Sequence, residues 1–201
     1  MDVKPLRVRQ AEATRKLLVD VARENFTQRG YAATSIDDVI HQAGVARGAL
    51  YHHFPGKEAL FRAVYEEVEG EVVARVLAVA AAQPSPWDAV RAGLSAFLDA
   101  CLEPSFRRIV VLESVSVLQS EVMEVGIDPV ELPMLRSVLE PLLGTARFAD
   151  MALDALAYVA LGGLYGASLF IARAADAPAA RAEVDRVLDT LISGLVRGVG
   201  G

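Results

Sequence analysis

The sequence has a single cysteine, Cys101, and aromatic residues make up only 6% of its 201 positions. One cysteine excludes an internal disulfide framework and a cysteine-based zinc finger. The chain also lacks Asn-Gly and Asp-Gly turns and any sustained alternation of apolar and polar residues, which argues against β-hairpins. Hydrophobic residues still make up 53% of the chain, mostly as Ala, Val and Leu. This composition excludes a disordered chain and predicts an all-α fold.

The common motifs of enzymes are missing as well. The sequence contains no Gly-x-Ser-x-Gly elbow, no glycine-rich phosphate loop and no His-Glu-x-x-His metal motif. Its three histidines, His41, His52 and His53, all precede residue 60. Cys101 is expected to be a small buried hydrophobic residue. We therefore predict that the protein is not an enzyme and has no metal site and no cofactor.

Charge is distributed unevenly along the chain. The net charge is −6, but residues 1–60 carry nine basic and seven acidic residues. The remaining 141 residues are strongly acidic, and they contain no histidine. This asymmetry indicates a small segment that faces a polyanion, joined to an acidic body.

Apolar residues spaced three and four positions apart predict about nine helices. The first helix is expected over residues 11–29, ending at Gly30. The second begins at a capping-box-like Thr34-Ser-Ile-Asp37, in which the Thr34 hydroxyl is expected to cap backbone N–H groups. The apolar face of the first helix is predicted to contain Ala13, Leu17, Leu18, Val21, Ala22 and Phe26.

Two short helices separated by Gly44 are predicted within residues 34–54. Their length and spacing are typical of a helix-turn-helix, which places its second helix in the major groove of DNA. A long helix then begins at Lys57, and Ser85 and Pro86 start the next one. The remaining helices are predicted over residues 105–119, 128–144, 150–174 and 179–198.

The run TSIDDVIHQAGVARGALYHHFPGKEAL, residues 34–60, resembles the TetR family of one-component bacterial regulators. The resemblance implies a helix-turn-helix DNA-binding domain over residues 1–56 and a ligand-binding and dimerisation domain over residues 57–201. It further implies a transcriptional repressor that binds a pseudo-palindromic operator in double-stranded DNA as a homodimer. Residues 1–18 contain no apolar segment typical of a secretory signal, so the cytoplasm is the expected compartment. An unknown small-molecule effector would release it. The alternative is a dimeric ligand-sensing or interaction protein whose DNA-reading segment is degenerate.

The start of the second short helix supplies the residues best suited to reading bases. Arg47 can donate two hydrogen bonds to guanine or hold a phosphate. Gly48 allows the helix backbone to approach a base edge or a thymine methyl group, and Ala49 offers only its own methyl group. Position 46 is often serine or threonine in the family, so Ala46 lacks a hydroxyl that could cap the helix or bind phosphate.

The polar residues that follow are assigned by the resemblance. Tyr51 and His53 look like phosphate contacts, and His52 looks like a base-edge or groove-wall residue. An alternative for His53 is a buried histidine that braces Phe54. Lys57 and Thr34 lie at helix starts, where N–H groups and the helix dipole favour phosphate.

The C-terminal body is expected to hold the effector in a cavity with apolar walls and a few polar groups. Glu113 has several apolar neighbours in sequence. It could meet a ligand, pair with Arg91 or Arg108, or face solvent. The candidate ligand contacts are polar, aromatic or sulfur-containing side chains within apolar stretches: Trp87, Phe97, Cys101, Glu113, Ser116, Gln119, Met134, Tyr158 and Tyr165.

Residues 155–172 form a run of 18 uncharged residues that contains Gly162 and Gly166. This run is at the lower length limit for a membrane span. We instead expect no membrane and a helix whose small residues let another helix approach closely. Paired with the last helix, it predicts an intersubunit four-helix bundle. The apolar stripe of the last helix consists of Val184, Val187, Leu188, Leu191, Ile192 and Leu195.

Overall fold

The computed structural model describes residues 6–118, 136, 140 and 153–197, with side chains to residue 194. This part of the chain contains eight α-helices, one π-helix and no strand, which confirms the all-α prediction. The helix predicted over residues 128–144 lies outside the described residues except at 136 and 140. The helices are α1 (Leu6–Ala33), α2 (Ile36–Ala43), α3 (Arg47–His53), α4 (Lys57–Ala81), α5 (Pro86–Ala100), the π-helix Phe106–Glu113, α6 (Ser114–Val117), α7 (Leu153–Arg173) and α8 (Ala177–Arg197).

The contacts divide the chain into two units. The first unit consists of two segments: one that ends at Gly70, within α4, and Pro104–Leu118. Its aromatic core joins the ring of Phe61, on α4, to the ring of Phe26, on α1, with 5.1 Å between their centroids. The ring of Tyr31 lies 5.2 Å from that of Phe61. The first half of α4 therefore belongs with the helix-turn-helix, whereas the sequence placed the boundary after residue 56.

The predicted apolar face of α1 is partly wrong. Leu17 is 42% exposed and Ala13 is also exposed, whereas Val19 is buried. The buried face of α1 also includes Asn25, whose amide nitrogen donates to the Val21 carbonyl at 2.8 Å and to the Gln42 side chain at 2.6 Å. The buried face of α1 is therefore not the purely apolar stripe that the spacing predicts, because it includes a polar link to α2.

Local signals explain the boundaries of α2. Gly44 has a φ of 64°, the left-handed conformation that commonly ends a helix. The N-cap is Ser35 and not Thr34: the Ser35 hydroxyl accepts from the Asp38 N–H at 3.1 Å, and the Ser35 N–H donates to the Asp38 carboxylate at 3.2 Å. The predicted capping box therefore exists, but one residue later than expected.

The second unit contains Glu71–Glu103 and the described part of the C-terminal region. Ser85 caps α5 as predicted, because its hydroxyl accepts from the Asp88 N–H at 3.2 Å. Arg181 fastens α8 to α5: it lies 2.9 Å from an Asp99 carboxylate oxygen and 2.7 Å from the Ser95 hydroxyl. Helices α7 and α8 also pack against each other.

Candidate nucleic-acid interface

Helix α3 is anchored on one side and open on the other. Leu50 is fully buried and Phe54, just after the helix, is 3% exposed, so these two residues hold α3 in the first unit. Its exposed residues are Arg47, Gly48, Tyr51 and His52, while Ala49 and His53 are half-buried. The residue before the helix, Ala46, makes no side-chain capping bond, as its missing hydroxyl predicts. The structure therefore presents the predicted base-reading residues on one short, exposed helix.

Arg47 is held from two sides. Its Nη2 atom lies 2.9 Å from the Oδ1 atom of Asp37, on the first turn of α2. Its guanidinium carbon lies 5.9 Å from the ring centroid of Tyr51, one turn further along α3. Asp37 is not among the predicted site residues, although an acidic residue in the first turn of a helix is a visible signal.

Gly48 has no internal reason to be glycine. Its φ lies outside the left-handed region, and a Cβ atom built at this position would meet nothing within 4 Å. Glycine weakens a helix interior relative to alanine by about 0.5–1 kcal/mol. The open space above Gly48 therefore fits the close approach of an external partner that the sequence analysis predicted.

His53 is turned towards the protein more than its neighbour is. Its ring centroid lies 6.3 Å from that of Phe54, and the guanidinium of Arg15 lies 5.2 Å from the Phe54 ring. Burial lowers the pKa of His53, and the charges of His52 and Arg15 lower it further. These contacts favour the bracing alternative for the ring.

Lys57 and Thr34 are both engaged inside the first unit. The Lys57 ammonium lies 4.2 Å from the Tyr31 ring centroid and 3.5 Å from the Ala32 carbonyl oxygen. Burial lowers the pKa of Lys57, and the nearby Glu113 carboxylate opposes this shift. Thr34 is 3% exposed and its hydroxyl donates to the Gly30 carbonyl at 2.8 Å, so its side chain cannot be the predicted phosphate contact. Exposed Ser35 occupies that place at the start of α2.

Glu113 is not a free ligand contact, because its carboxylate holds the end of α1. One oxygen accepts from the Tyr31 N–H at 2.8 Å, and the other lies 3.3 Å from the Nε atom of Arg108. Arg108 in turn donates to the carbonyls of Thr27 and Gln28, at 3.4 and 3.1 Å. Of the alternatives for Glu113, the pair with Arg108 is the one that forms.

The break in α1 at Gly30 makes room for this cluster. Gly30 has a φ of 83°, and a Cβ atom there would lie 2.5 Å from a Glu113 oxygen and 2.8 Å from an Arg108 nitrogen. The left-handed backbone at Gly30 favours glycine, and a Cβ atom there would also require the ends of the Glu113 and Arg108 side chains to shift. Gly30 does interrupt the helix where the sequence predicted an end.

The other ligand candidates do not converge on one site among the described residues. Trp87 packs beside buried Ala157, and Cys101 is fully buried, which raises the pKa of its thiol to about 12. Tyr158 and Tyr165, both on α7, are 49% and 47% exposed. Phe97 is half-buried, exposed Ser116 donates its hydroxyl to the Glu113 carbonyl, and Gln119 and Met134 lie outside the described residues.

Two surface grooves in the second unit lie away from these candidates. One, of about 490 Å³, lies along α4 and α5, where Arg75 pairs with Glu103 at 2.7 Å. The other, of about 430 Å³, follows α8 past Val187 and Leu191. None of the predicted ligand contacts lines either groove, and Val187 and Leu191 in the second groove belong to the predicted dimer stripe. The grooves therefore do not identify an effector site. Among the described residues, no group of three or more potential metal ligands occurs.

Helices α7 and α8 expose apolar side chains. On α7, Val159 is 75% exposed and Phe170 is 52% exposed, and on α8 both Val187 and Leu191 are 58% exposed. Of the other dimer candidates, Gly162 and Gly166 are exposed, Val184 and Leu188 are half-buried, Ile192 is buried, and the side chain of Leu195 lies outside the described residues.

By length and composition, α7 is also the one described helix that could cross a membrane, and 22% of its apolar window is buried. This is weak evidence for a span, since helices of soluble proteins pass the same test. The exposed glycines and aromatic rings fit a protein surface that a second helix covers.

Comparisons with known proteins agree with this architecture. The HTH-type transcriptional regulator AcrR of Shigella flexneri is 40% identical over 63 residues, which are 31% of this chain and 29% of that protein. The transposon Tn10 TetC protein of Escherichia coli is 43% identical over 56 residues, 28% of each chain. The match thus spans less than a third of the length of these curated relatives.

Solved structures match nearly the whole chain. A TetR-family transcriptional regulator from Pectobacterium atrosepticum is 33% identical with a TM-score of 0.78, over 92% of this chain and 95% of that one. FadR from Bacillus subtilis, solved with stearoyl-CoA, is 17% identical with a TM-score of 0.66, over 86% and 96% of the two chains, and shows the shared fold alone.

Two family descriptions match the sequence itself. Residues 18–64 match the bacterial regulatory proteins of the tetR family, and residues 87–195 match the tetracyclin repressor-like C-terminal domain. The second match covers more than half of the chain. This protein therefore belongs to the TetR family of helix-turn-helix transcriptional regulators.

Proposed function

We propose that the protein is a transcriptional repressor that reads double-stranded operator DNA with α3. The observation that carries this proposal is the exposed face of α3, where Arg47, Tyr51 and His52 surround a glycine with open space above it. A helix held by buried Leu50 and Phe54 presents such a face rigidly, as major-groove reading requires.

The chemistry of each exposed side chain determines which part of the DNA it contacts. Arg47 reads a base, because its guanidinium matches the two acceptors of guanine in the major groove. Tyr51 contacts a phosphate and His52 a base edge or groove wall. His53 and Lys57 remain proposed phosphate contacts, although each has a partner inside the protein.

Arg47→Ala tests the assignment of α3. A duplex selected by the wild-type protein from a randomised pool serves as the specific DNA, and a scrambled duplex of equal length as the nonspecific DNA. We expect the ratio of specific to nonspecific affinity to fall about 5- to 150-fold, because a bidentate contact discriminates by about 1–3 kcal/mol.

The matched control for this test is Arg62→Ala, which removes an arginine on α4 that lies 3.9 Å from Glu58. It should leave the ratio unchanged. Equal weakening of both duplexes by Arg47→Ala would make Arg47 a phosphate anchor. Failure of the wild-type protein to select any duplex would support the degenerate DNA-reading alternative.

The rest of the proposal concerns assembly and control. The protein acts in the cytoplasm as a homodimer through α7 and α8, whose exposed apolar side chains support a partner helix pair. A small-molecule effector releases it from DNA, as expected for a member of the TetR family. Helix α4 contributes residues to both units, and a helix of 25 residues spans about 37 Å. It is therefore the proposed route of coupling, of about 1–3 kcal/mol, between effector and operator.

A further inference from the structure

Asp37 is a carboxylate in an unexpected place. It lies on the first turn of α2, 2.9 Å from the guanidinium of Arg47, and the two side chains are 71% and 62% exposed. An ion pair this exposed contributes little to folding. A carboxylate beside a DNA-reading helix also repels phosphates and so weakens binding to DNA in general. The dipole of α2 favours an acidic residue in its first turn by about 0.3–1 kcal/mol. That contribution does not require the carboxylate to contact the reading arginine, so the contact itself calls for an explanation.

The geometry around Arg47 offers an explanation. An arginine side chain has many rotamers, and fixing one of them costs conformational entropy. Here Asp37 contacts one terminal nitrogen while the ring of Tyr51 lies 5.9 Å from the guanidinium carbon. Because the guanidinium carries five N–H donors, a single contact to Asp37 leaves donors free for the two acceptors of guanine.

We propose that Asp37 is a positioning residue that determines sequence specificity: it holds Arg47 in the conformation that reads guanine. The inference rests on the proposed function, in which Arg47 contacts a base. Asp37 thus lowers affinity for all DNA through its charge and raises the preference for one base pair through Arg47. These two effects have opposite signs, which makes them separable by measurement.

Asp37→Asn is the informative variant, since it keeps the shape of the side chain and removes its charge. Affinity for the scrambled duplex should rise because a repulsive charge is lost. The preference for guanine over adenine at the position that Arg47 reads should fall about 3-fold or more, because a neutral amide oxygen holds the guanidinium more weakly than a carboxylate does. Its melting temperature should fall by no more than a few degrees, because an exposed ion pair and a carboxylate in the first turn of a helix each contribute little to stability.

The experiment measures binding of the full-length protein at one fixed salt concentration. The probes are the duplex selected by the wild-type protein, its single-base-pair variants and the scrambled duplex. The variants are Asp37→Asn, Arg47→Ala and both together, with Asp20→Asn as the matched control. Asp20 is an exposed carboxylate on α1 that pairs with Lys16 at 2.8 Å. The control should leave base preference unchanged, and the double variant should have the preference of Arg47→Ala alone.

Each other outcome has a definite meaning. If Asp37→Asn raises affinity for every duplex by the same factor, Asp37 is only a repulsive charge and the inference is overturned. A changed preference at a position other than the one Arg47 reads would show direct contact of Asp37 with a base, which also overturns it. If Arg47→Ala itself leaves base preference unchanged, the proposed function of Arg47 fails, whatever Asp37→Asn does.

Discussion

At position 48, helix stability favours alanine, whereas the proposed contact with DNA favours glycine. Alanine fits its backbone conformation and would meet nothing within 4 Å. We therefore expect Gly48→Ala to raise the free energy of unfolding by about 0.5–1 kcal/mol, because alanine favours a helix and restricts the unfolded chain. The same methyl group should weaken specific DNA binding, since it fills space that the DNA would occupy. Chemical denaturation and binding titrations measure the two effects.

An unchanged DNA affinity in Gly48→Ala would contradict close approach of DNA at this position. Gly70→Ala is a suitable control, because it adds the same methyl group on α4, where a Cβ atom also meets nothing within 4 Å. The contrast depends on the location of the added group, so both variants should first be shown to retain the helix content of the wild-type protein.

His53 makes the stability of the first unit depend on pH, and the direction follows from its lowered pKa. Burial, then the charges of His52 and Arg15, lower its pKa in the folded protein. The unfolded chain therefore binds more protons than the folded one as the pH falls below the ordinary histidine value of about 6.5. The free energy of unfolding should therefore fall as the pH decreases from about 6.5 to the lowered pKa of His53. His53→Gln should flatten this part of the dependence of unfolding free energy on pH. Chemical denaturation at several pH values measures it, and an unchanged dependence in the variant would contradict a lowered pKa for His53.

At the scale of elements, the Arg108–Glu113 pair fastens the π-helix to the end of α1. Glu113→Ala would leave the Tyr31 N–H and the Arg108 side chain without this acceptor. We expect a loss of about 1–3 kcal/mol in the free energy of unfolding. Glu113→Gln should cost less, because its amide oxygen still accepts from Tyr31. Equal stability of the alanine variant and the wild-type protein would show that the clamp contributes nothing.

A substitution at Gly30 provides a second test of the contact between Glu113, Arg108 and the end of α1. Gly30→Ala is strained by its φ of 83° and by the 2.5 Å approach to the Glu113 carboxylate. In a Glu113→Ala background only the backbone strain and the Arg108 contact remain. The cost of Gly30→Ala should therefore be smaller in that background, and the difference measures the coupling between the two sites. Additive costs would show that Glu113 moves aside freely.

The elements that the sequence predicted correctly are those with local signals. Gly44 ends α2, Lys57 begins α4, and Ser85 with Pro86 begins α5, each through a cap or a proline within a few residues. The start of α2 was placed one residue early because TSIDD offers two overlapping capping boxes. Burial of Thr34 against the Gly30 carbonyl decides between them, and burial is a tertiary property.

Long-range partners account for what the sequence could not predict. The contact between Glu113 and the Tyr31 N–H joins residues 82 positions apart. An acidic residue in an apolar stretch indicates a special role, but it does not reveal whether a ligand or another part of the chain satisfies it. Likewise, no periodicity distinguishes the π-helix Phe106–Glu113 from an α-helix. The exposed face of α3 was predictable because its residues all lie within one short segment, residues 47–52.

At the scale of the whole molecule, the dimer proposal depends on α7 and α8. Val187 and Leu191 are each 58% exposed on α8, whereas Leu188 is half-buried and a charge there would also disturb folding. We therefore expect Val187→Glu with Leu191→Glu to convert a dimer into a folded monomer, because buried charges without partners are costly at an interface. Sedimentation equilibrium at micromolar concentration measures the mass, and circular dichroism confirms that helix content is retained.

Loss of the dimer should also weaken binding to a palindromic operator, since each protomer supplies one α3 and the two half-sites lie about 34–36 Å apart or at a multiple of one helical turn. Leu77→Glu is the matched control, because Leu77 is 41% exposed on α4 and lies outside the proposed interface. It should remain dimeric and bind the operator as the wild-type protein does. A double variant that stays dimeric would place the interface elsewhere. A wild-type monomer at the same concentration would refute the dimer itself, and each α3 would then have to read its site alone.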